Sequence, residues 1–155
     1  MPGMIEARLQ ELGIVLPTPM APVANYVPFV RTGDLVIISG QLPADNGKIM
    51  ALGPVGDGMS IEDATAGARL CFINLLAQLK AACAGDLDRM QQVVRLGGFI
   101  AAPATFTQHA AIMNGASDTA VAVFGDKGRH ARTTVGVPSL PLNATVEVEG
   151  MFRIA

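Results

Sequence analysis

Arg132, Glu147 and Glu149 are the residues of this chain best suited to chemistry on a small carboxylate. An arginine grips a carboxylate through two parallel N–H groups of its planar fork, and a glutamate within about 3 Å of a water can position or activate it. Side chains two apart on a strand share a face, so Arg132 and Thr134 point one way while Thr133 and Val135 point the other. In the next segment Glu147, Glu149, Met151 and Arg153 share one face, and Val146, Val148, Phe152 and Ile154 form an opposite, apolar one. Folding the two segments together about Leu140 and Pro141 sets Arg132 opposite Glu149 and Thr134 opposite Glu147. A one-residue slip would exchange the faces, and a cross-strand ion pair bracing the sheet is the structural alternative to a site. Tyr26, the single tyrosine, reads on these grounds as packing.

Other chemistries lack their residues. The two histidines, His109 and His130, have no second ligand at helical spacing and the cysteines form no CxxC pair, so no metal is expected. The glycine-rich stretch 53–58 has no lysine followed by Ser or Thr, no GxGxxG follows a strand, and no GxSxG elbow is present. Neither a nucleotide cofactor nor a serine hydrolase is therefore expected. His130 has a ring suited to general-base work, but its place just before the Arg132 strand reads as structural or as part of a rim.

These residues must be positioned by a chain of 155 residues, enough for one domain. Half of it is apolar and only 15% is charged, below the roughly 25–35% expected at the surface of a small soluble monomer. Apolar stretches such as 35–38 are far short of the roughly 20 residues of a membrane span, so the surplus is expected to be covered by copies of the same chain. A net charge of −2 and no basic stripe argue against nucleic acid. The N-terminal segment, with Glu6, Arg8 and Glu11, lacks a signal-peptide core. Cys71 and Cys83 fall about 18 Å apart along one predicted helix, too far to bond, which fits a reducing cytoplasm.

The spacing predicts a short helix over 4–12 stopped by Gly13, then an extended arm through Pro17, Pro19 and Pro22 to residue 25. A hairpin follows, with strands at 26–31 and 35–39 around Thr32-Gly33-Asp34, then a loop with one brief strand over 48–52. Ser60 caps a long amphipathic helix ending at Gly85. A strand over 90–101 carries Gly97-Gly98, where a bulge or a close backbone contact is expected. A second helix over 106–124, interrupted by Gly115, precedes strands at 132–137 and 144–154. The order β-β-α-β-α-β-β implies an α+β fold, a sheet with both of these helices on one face and its other face left for a neighbouring subunit.

Tyr26, Ser39-Gly40-Gln41-Leu42-Pro43, Arg132-Thr133-Thr134-Val135-Gly136-Val137-Pro138-Ser139-Leu140-Pro141 and Glu147-Val148-Glu149 together resemble the RidA (YjgF, L-PSP endoribonuclease-like) family of reactive-intermediate deaminases. The likeness runs from Tyr26 to the end. The segments 114–118, 124–125 and 128–132 resemble a divergent branch of it. The resemblance implies a chorismate-mutase-like homotrimer with a mixed sheet and a ligand cleft between subunits. It implies that Arg132 grips the ligand carboxylate, that Gly40 offers its N–H beside Ser39, that Tyr26 lines the cleft and that Glu147 orients the hydrolytic water. Asn114 would be a further ligand-binding residue, and Thr134, standing where many members carry cysteine, would be a catalytic residue through its hydroxyl or backbone. The implied activity is hydrolysis of enamines and imines of the 2-aminoacrylate and 2-iminopropanoate type to 2-keto acids and ammonia, without a cofactor. A noncatalytic small-carboxylate sensor using the same cleft, or a ribonuclease, are the alternatives.

Overall fold

Apolar residues at every second position from Val146 onward build the middle strand of a five-stranded sheet. The computed structural model describes residues 2–19, 21, 24–56 and 58–155. In spatial order the strands are β1 (Phe29–Thr32), β2 (Leu35–Gln41), β7 (Val146–Ile154), β5 (Met90–Ala101) and β6 (Ala131–Val137). All neighbours are antiparallel except β5 and β6, which run parallel. The short β3 (Ala44–Asp45) and β4 (Lys48–Ile49) form a separate ribbon about Asn46-Gly47, both at positive φ. That is the turn chemistry an Asn-Gly pair favours.

Helices α2 (Ile61–Ala82) and α3 (His109–Phe124) pack on the face where β7 presents Val146, Val148, Phe152 and Ile154. Ser60 accepts a hydrogen bond from the Asp63 N–H and caps α2. The core joins Phe72, Leu75, Leu76 and Leu79 of α2 to Leu96 and Ile100 of β5 and to Ile112, Met113 and Ala116 of α3. Gly115 does not break α3; a Cβ there would collide with the Thr65 carbonyl of α2, so the glycine is what lets the two helices cross closely. Helix α1 (Met4–Glu11) docks beside them, Arg8 donating to the Ala122 carbonyl and Asp88 accepting from the Met4 and Ile5 N–H groups. Those two bonds hold the Asp88 carboxyl below its ordinary pKa. The prolines of the arm at 17 and 19 lie in a stretch without regular structure, and Pro22 lies outside the described residues.

Four expectations are corrected. Strands β6 and β7 do not pair, because α3 carries the chain back to the free edge of β5 and leaves β5 between them. Arg132 therefore faces Leu96 and Thr134 faces Gly98, rather than Glu149 and Glu147. The first strand begins at Phe29, and Tyr26 precedes it in a bend; Pro28, which has no N–H to donate, marks the boundary. Helix α3 starts at His109, since Phe106 turns back to bond the Pro103 carbonyl. No bulge sits at the glycines, since the register shifts of β5 lie near Met90–Gln92 and Val93–Arg95; the other half of that expectation holds, because the Gly97 and Gly98 backbone is closely approached, by the side chains of Glu149 and Met113.

Candidate functional site

Tyr26, Ser39, Gly40 and Glu147 line one cavity of about 340 Å³, together with Leu42 and the Pro141–Leu142 turn. A β-bulge makes this meeting possible. Ile38 pairs with Gly150 and Gln41 with Val148, so two residues, Ser39 and Gly40, stand opposite Glu149 alone. At Gly40 the backbone comes so close to the Glu147 carboxylate that a Cβ would overlap it. The Ser39 hydroxyl donates to the Val27 carbonyl at 2.8 Å and so tethers the bend that carries Tyr26. Buried Gln41 donates back to the Ser39 carbonyl at 3.0 Å and braces the bulge. Across the mouth, Leu142 and Asn143 adopt left-handed backbone, φ 57° and 58°, an unusual state for a leucine. The turn is pinned from behind by the Gly53 N–H, which donates to the Asn143 carbonyl at 2.8 Å.

Burial, and after it the neighbouring charge of Glu149, push the Glu147 carboxyl above the ordinary carboxylate range. A carboxyl so placed holds and releases a proton closer to neutrality than a solvated one.

A second cluster stands on the other face of the sheet. Arg132 lies on edge strand β6 and turns toward α3, where its Nη1 donates to Asn114 Oδ1 at 2.8 Å and to Ser117 Oγ at 3.1 Å. Ser117 Oγ is 2.8 Å from His130 Nε2, and His130 Nδ1 is 2.6 Å from the Gly128 carbonyl. Among the described residues no carboxylate lies within 4.0 Å of the Arg132 guanidinium. Thr134 shares this face, but its hydroxyl oxygen is shielded from solvent and has no hydrogen-bond partner among the described residues. The sequence-predicted residues therefore fall into two sets: Tyr26, Ser39, Gly40 and Glu147 meet in one cavity, and Arg132 and Asn114 meet in another place.

A larger, more open groove of about 860 Å³ runs past Pro103, Phe106 and His109, but His109 is the one titratable side chain among its lining residues. Among the described residues no three His, Cys, Asp or Glu side chains gather as a metal site would require. No helix among them is long and apolar enough to cross a membrane.

Residues 6–152 match the family model described as YjgF/chorismate mutase-like, putative endoribonuclease. The chain belongs to the YjgF family. It is 41% identical over 153 residues to Protein TCP17 of Trypanosoma cruzi, covering 98% of this chain and 95% of that one. It is 31% identical over 143 residues to a 2-iminobutanoate/2-iminopropanoate deaminase of Dermatophagoides farinae, covering 90% and 95%. The crystal structure of an Agrobacterium tumefaciens protein of unknown function superposes with a TM-score of 0.92 at 46% identity, covering 97% and 92%. These modest identities fit a divergent branch of the YjgF family. Sequence reasoning misses Ser117, and it reads His130 only as structural or as part of a rim. Their one signal was the position of His130 two residues before Arg132, and the bond that joins them spans 13 residues.

Proposed function

We propose that this protein hydrolyses enamine and imine intermediates of the 2-aminoacrylate and 2-iminopropanoate type to 2-keto acids and ammonia, in clefts between the subunits of a homotrimer. The observation that carries this reading is the separation of two complementary half-sites. One face of the sheet holds a cavity with a proton-exchanging carboxyl, Glu147, and the other face holds at its edge a guanidinium with no acidic partner among the described residues. One chain cannot bring both to one small substrate, whereas a second copy presenting its Arg132 edge to the Tyr26–Glu147 cavity can. Val30, Ile37 and Val135, exposed on the cavity side of the sheet, suit coverage by such a copy. The similarity to the Dermatophagoides farinae deaminase supports the same reaction class.

In this mechanism the Arg132 fork and the Gly40 N–H hold the substrate carboxylate, and Tyr26 walls the cleft. The imine carbon is already electrophilic, so holding it beside water lowers the remaining barrier. Glu147 takes a proton as water oxygen bonds to that carbon, and returns it to nitrogen as the C–N bond breaks. Iminium and water become 2-keto acid and ammonium; an enamine first takes a proton at its terminal carbon. The ribonuclease reading is weaker, because a chain of net charge −2 has little with which to neutralise a phosphate backbone.

The test is to generate 2-aminoacrylate from serine and follow pyruvate release with and without the folded protein. Acceleration that is lost in Arg132→Ala supports the proposal, and no acceleration refutes it. Saturable 2-keto acid binding that needs Arg132, without turnover, would identify a noncatalytic sensor instead.

A further inference from the structure

With the His130 ring neutral, the hydrogen bonds around Arg132 run in one direction. The Gly128 carbonyl can only accept, so His130 Nδ1 carries a proton and donates to it at 2.6 Å. In the neutral ring Nε2 is then an acceptor, and it takes the Ser117 hydroxyl proton at 2.8 Å. Guanidinium can only donate, so the Ser117 oxygen accepts from Arg132 Nη1 at 3.1 Å. The Asn114 oxygen takes the other Nη1 hydrogen at 2.8 Å. Both hydrogens of Nη1 are thus occupied. The parallel N–H groups of Nε and Nη2, the edge that matches a carboxylate side-on, have no hydrogen-bond partner among the described residues.

The far end of this relay is anchored as firmly as the near end. A Cβ on Gly128 would strike the Ala120 carbonyl of α3, so residue 128 must be glycine to lie where its carbonyl meets His130. Gln92 of β5 clamps the same turn, donating to the Lys127 carbonyl at 3.1 Å and the Arg129 carbonyl at 2.6 Å. Gly125, at φ +63°, ends α3 and starts the turn.

We infer that Ser117 and His130 are positioning residues that, with Asn114, lock the Arg132 guanidinium so that its Nε–Nη2 edge is the one offered to the substrate carboxylate. The assignment of that edge to a substrate rests on the function proposed above; the locking of the guanidinium does not. His130 acts through Ser117 and touches neither substrate nor reacting atoms.

The experiment compares Ser117→Ala, His130→Leu and His130→Gln with the wild-type protein in imine turnover and in the side-chain ¹H–¹⁵N spectrum of labelled arginine. A carboxylate grip is equally strong before and during reaction, so weakening it raises KM and spares kcat. Ser117→Ala and His130→Leu should raise KM about tenfold, the usual effect of losing one bond to a charged group, with kcat within about twofold. His130→Gln, whose side-chain oxygen can accept from Ser117, should recover most of the loss. In the spectrum, Nη signals resolved by restricted rotation in wild type should merge in Ser117→Ala and His130→Leu. Unchanged KM in those two variants, with wild-type turnover present, overturns the inference while leaving the deaminase reading intact. If the wild type shows no turnover, the deaminase reading fails and the spectrum decides the locking: merged signals sustain it and unchanged signals overturn it.

Discussion

Two inactive variants, Arg132→Ala and Glu147→Gln, should restore one another when their subunits are mixed. In a single chain Arg132 and Glu147 cannot serve one substrate. Arg132 aligns through Leu96 with Gly150, so Glu147 lies two strands across and three residues along, roughly 14 Å away between Cα atoms at standard strand spacings. Their side chains also leave opposite faces, Arg132 toward Asn114 of α3 and Glu147 toward Gly40. If each site takes Arg132 from one subunit and Glu147 from its neighbour, an equal mixture co-refolded at random gives each requirement an even chance. About one quarter of the sites are then fully wild-type in any closed cyclic assembly.

Each parent variant should lose on the order of a hundredfold or more in kcat/KM, because Arg132→Ala removes bonds to a charged group worth about 1.5–3 kcal/mol each. A quarter of wild-type pyruvate release therefore stands far above either background. The converse mixture sharpens the measurement. Wild type mixed equally with the double variant should keep roughly a quarter of its sites if they are shared between chains, and about half if each chain holds its own. Assembly of mixed species is verified by native mass spectrometry. Recovery no greater than the sum of the parents, in verified mixed assemblies, would refute the shared site.

Glu147→Gln should also make the protein more stable at pH 7 while abolishing turnover. A carboxyl whose folded pKa is raised favours folding below its unfolded pKa and loses that contribution as pH rises through the folded value. The melting-temperature gain of the glutamine variant should therefore shrink as pH falls from the raised folded value toward the ordinary carboxylate value, and vanish below it. Gly40→Ala should displace the Glu147 carboxylate and lower kcat by tenfold or more, on the order of the cost of a misplaced catalytic group, with circular dichroism unchanged. Gly115→Ala should cost about 1–3 kcal/mol through overlap with the Thr65 carbonyl, read as a lower denaturation midpoint. Cys71 and Cys83 are both buried, and burial raises both thiol pKa values, so neither should react with iodoacetamide until the protein is unfolded.

What the sequence made legible was whatever is local. The alternation from Val146 to Ile154 fixed the apolar face of β7, and the Ser60 cap fixed the start of α2, because each depends on residues a few positions apart. Gly115 was ambiguous for a physical reason: helix propensity counts a glycine as a break, while the crossing with α2 demands one, and only the packing tells which effect wins. The bond between Ser117 and His130 was hidden because it depends on a turn at 125–128 whose course is set by Ala120 and Gln92.

Strand order was the least legible step, and the function hangs on it. Alternation correctly placed Arg132 with Thr134 and Glu147 with Glu149, but it says nothing about which strand lies between. Direct pairing of β6 with β7 would have set an arginine against a glutamate across one ladder, the ion pair that serves as the plain structural alternative to a site. The insertion of β5 removes that alternative: it carries Arg132 to the open edge, turns it to the helix face, and leaves both it and Glu147 without each other. Among the described residues the half-buried Glu147 carboxyl has no cation beside it, which raises its pKa, and the partly exposed Arg132 guanidinium keeps its Nε–Nη2 edge open. Under the proposed reading a second copy and a substrate carboxylate complete both, so the same contact that covers the exposed Val30, Ile37 and Val135 also assembles the site, and a monomer should bind and turn over nothing.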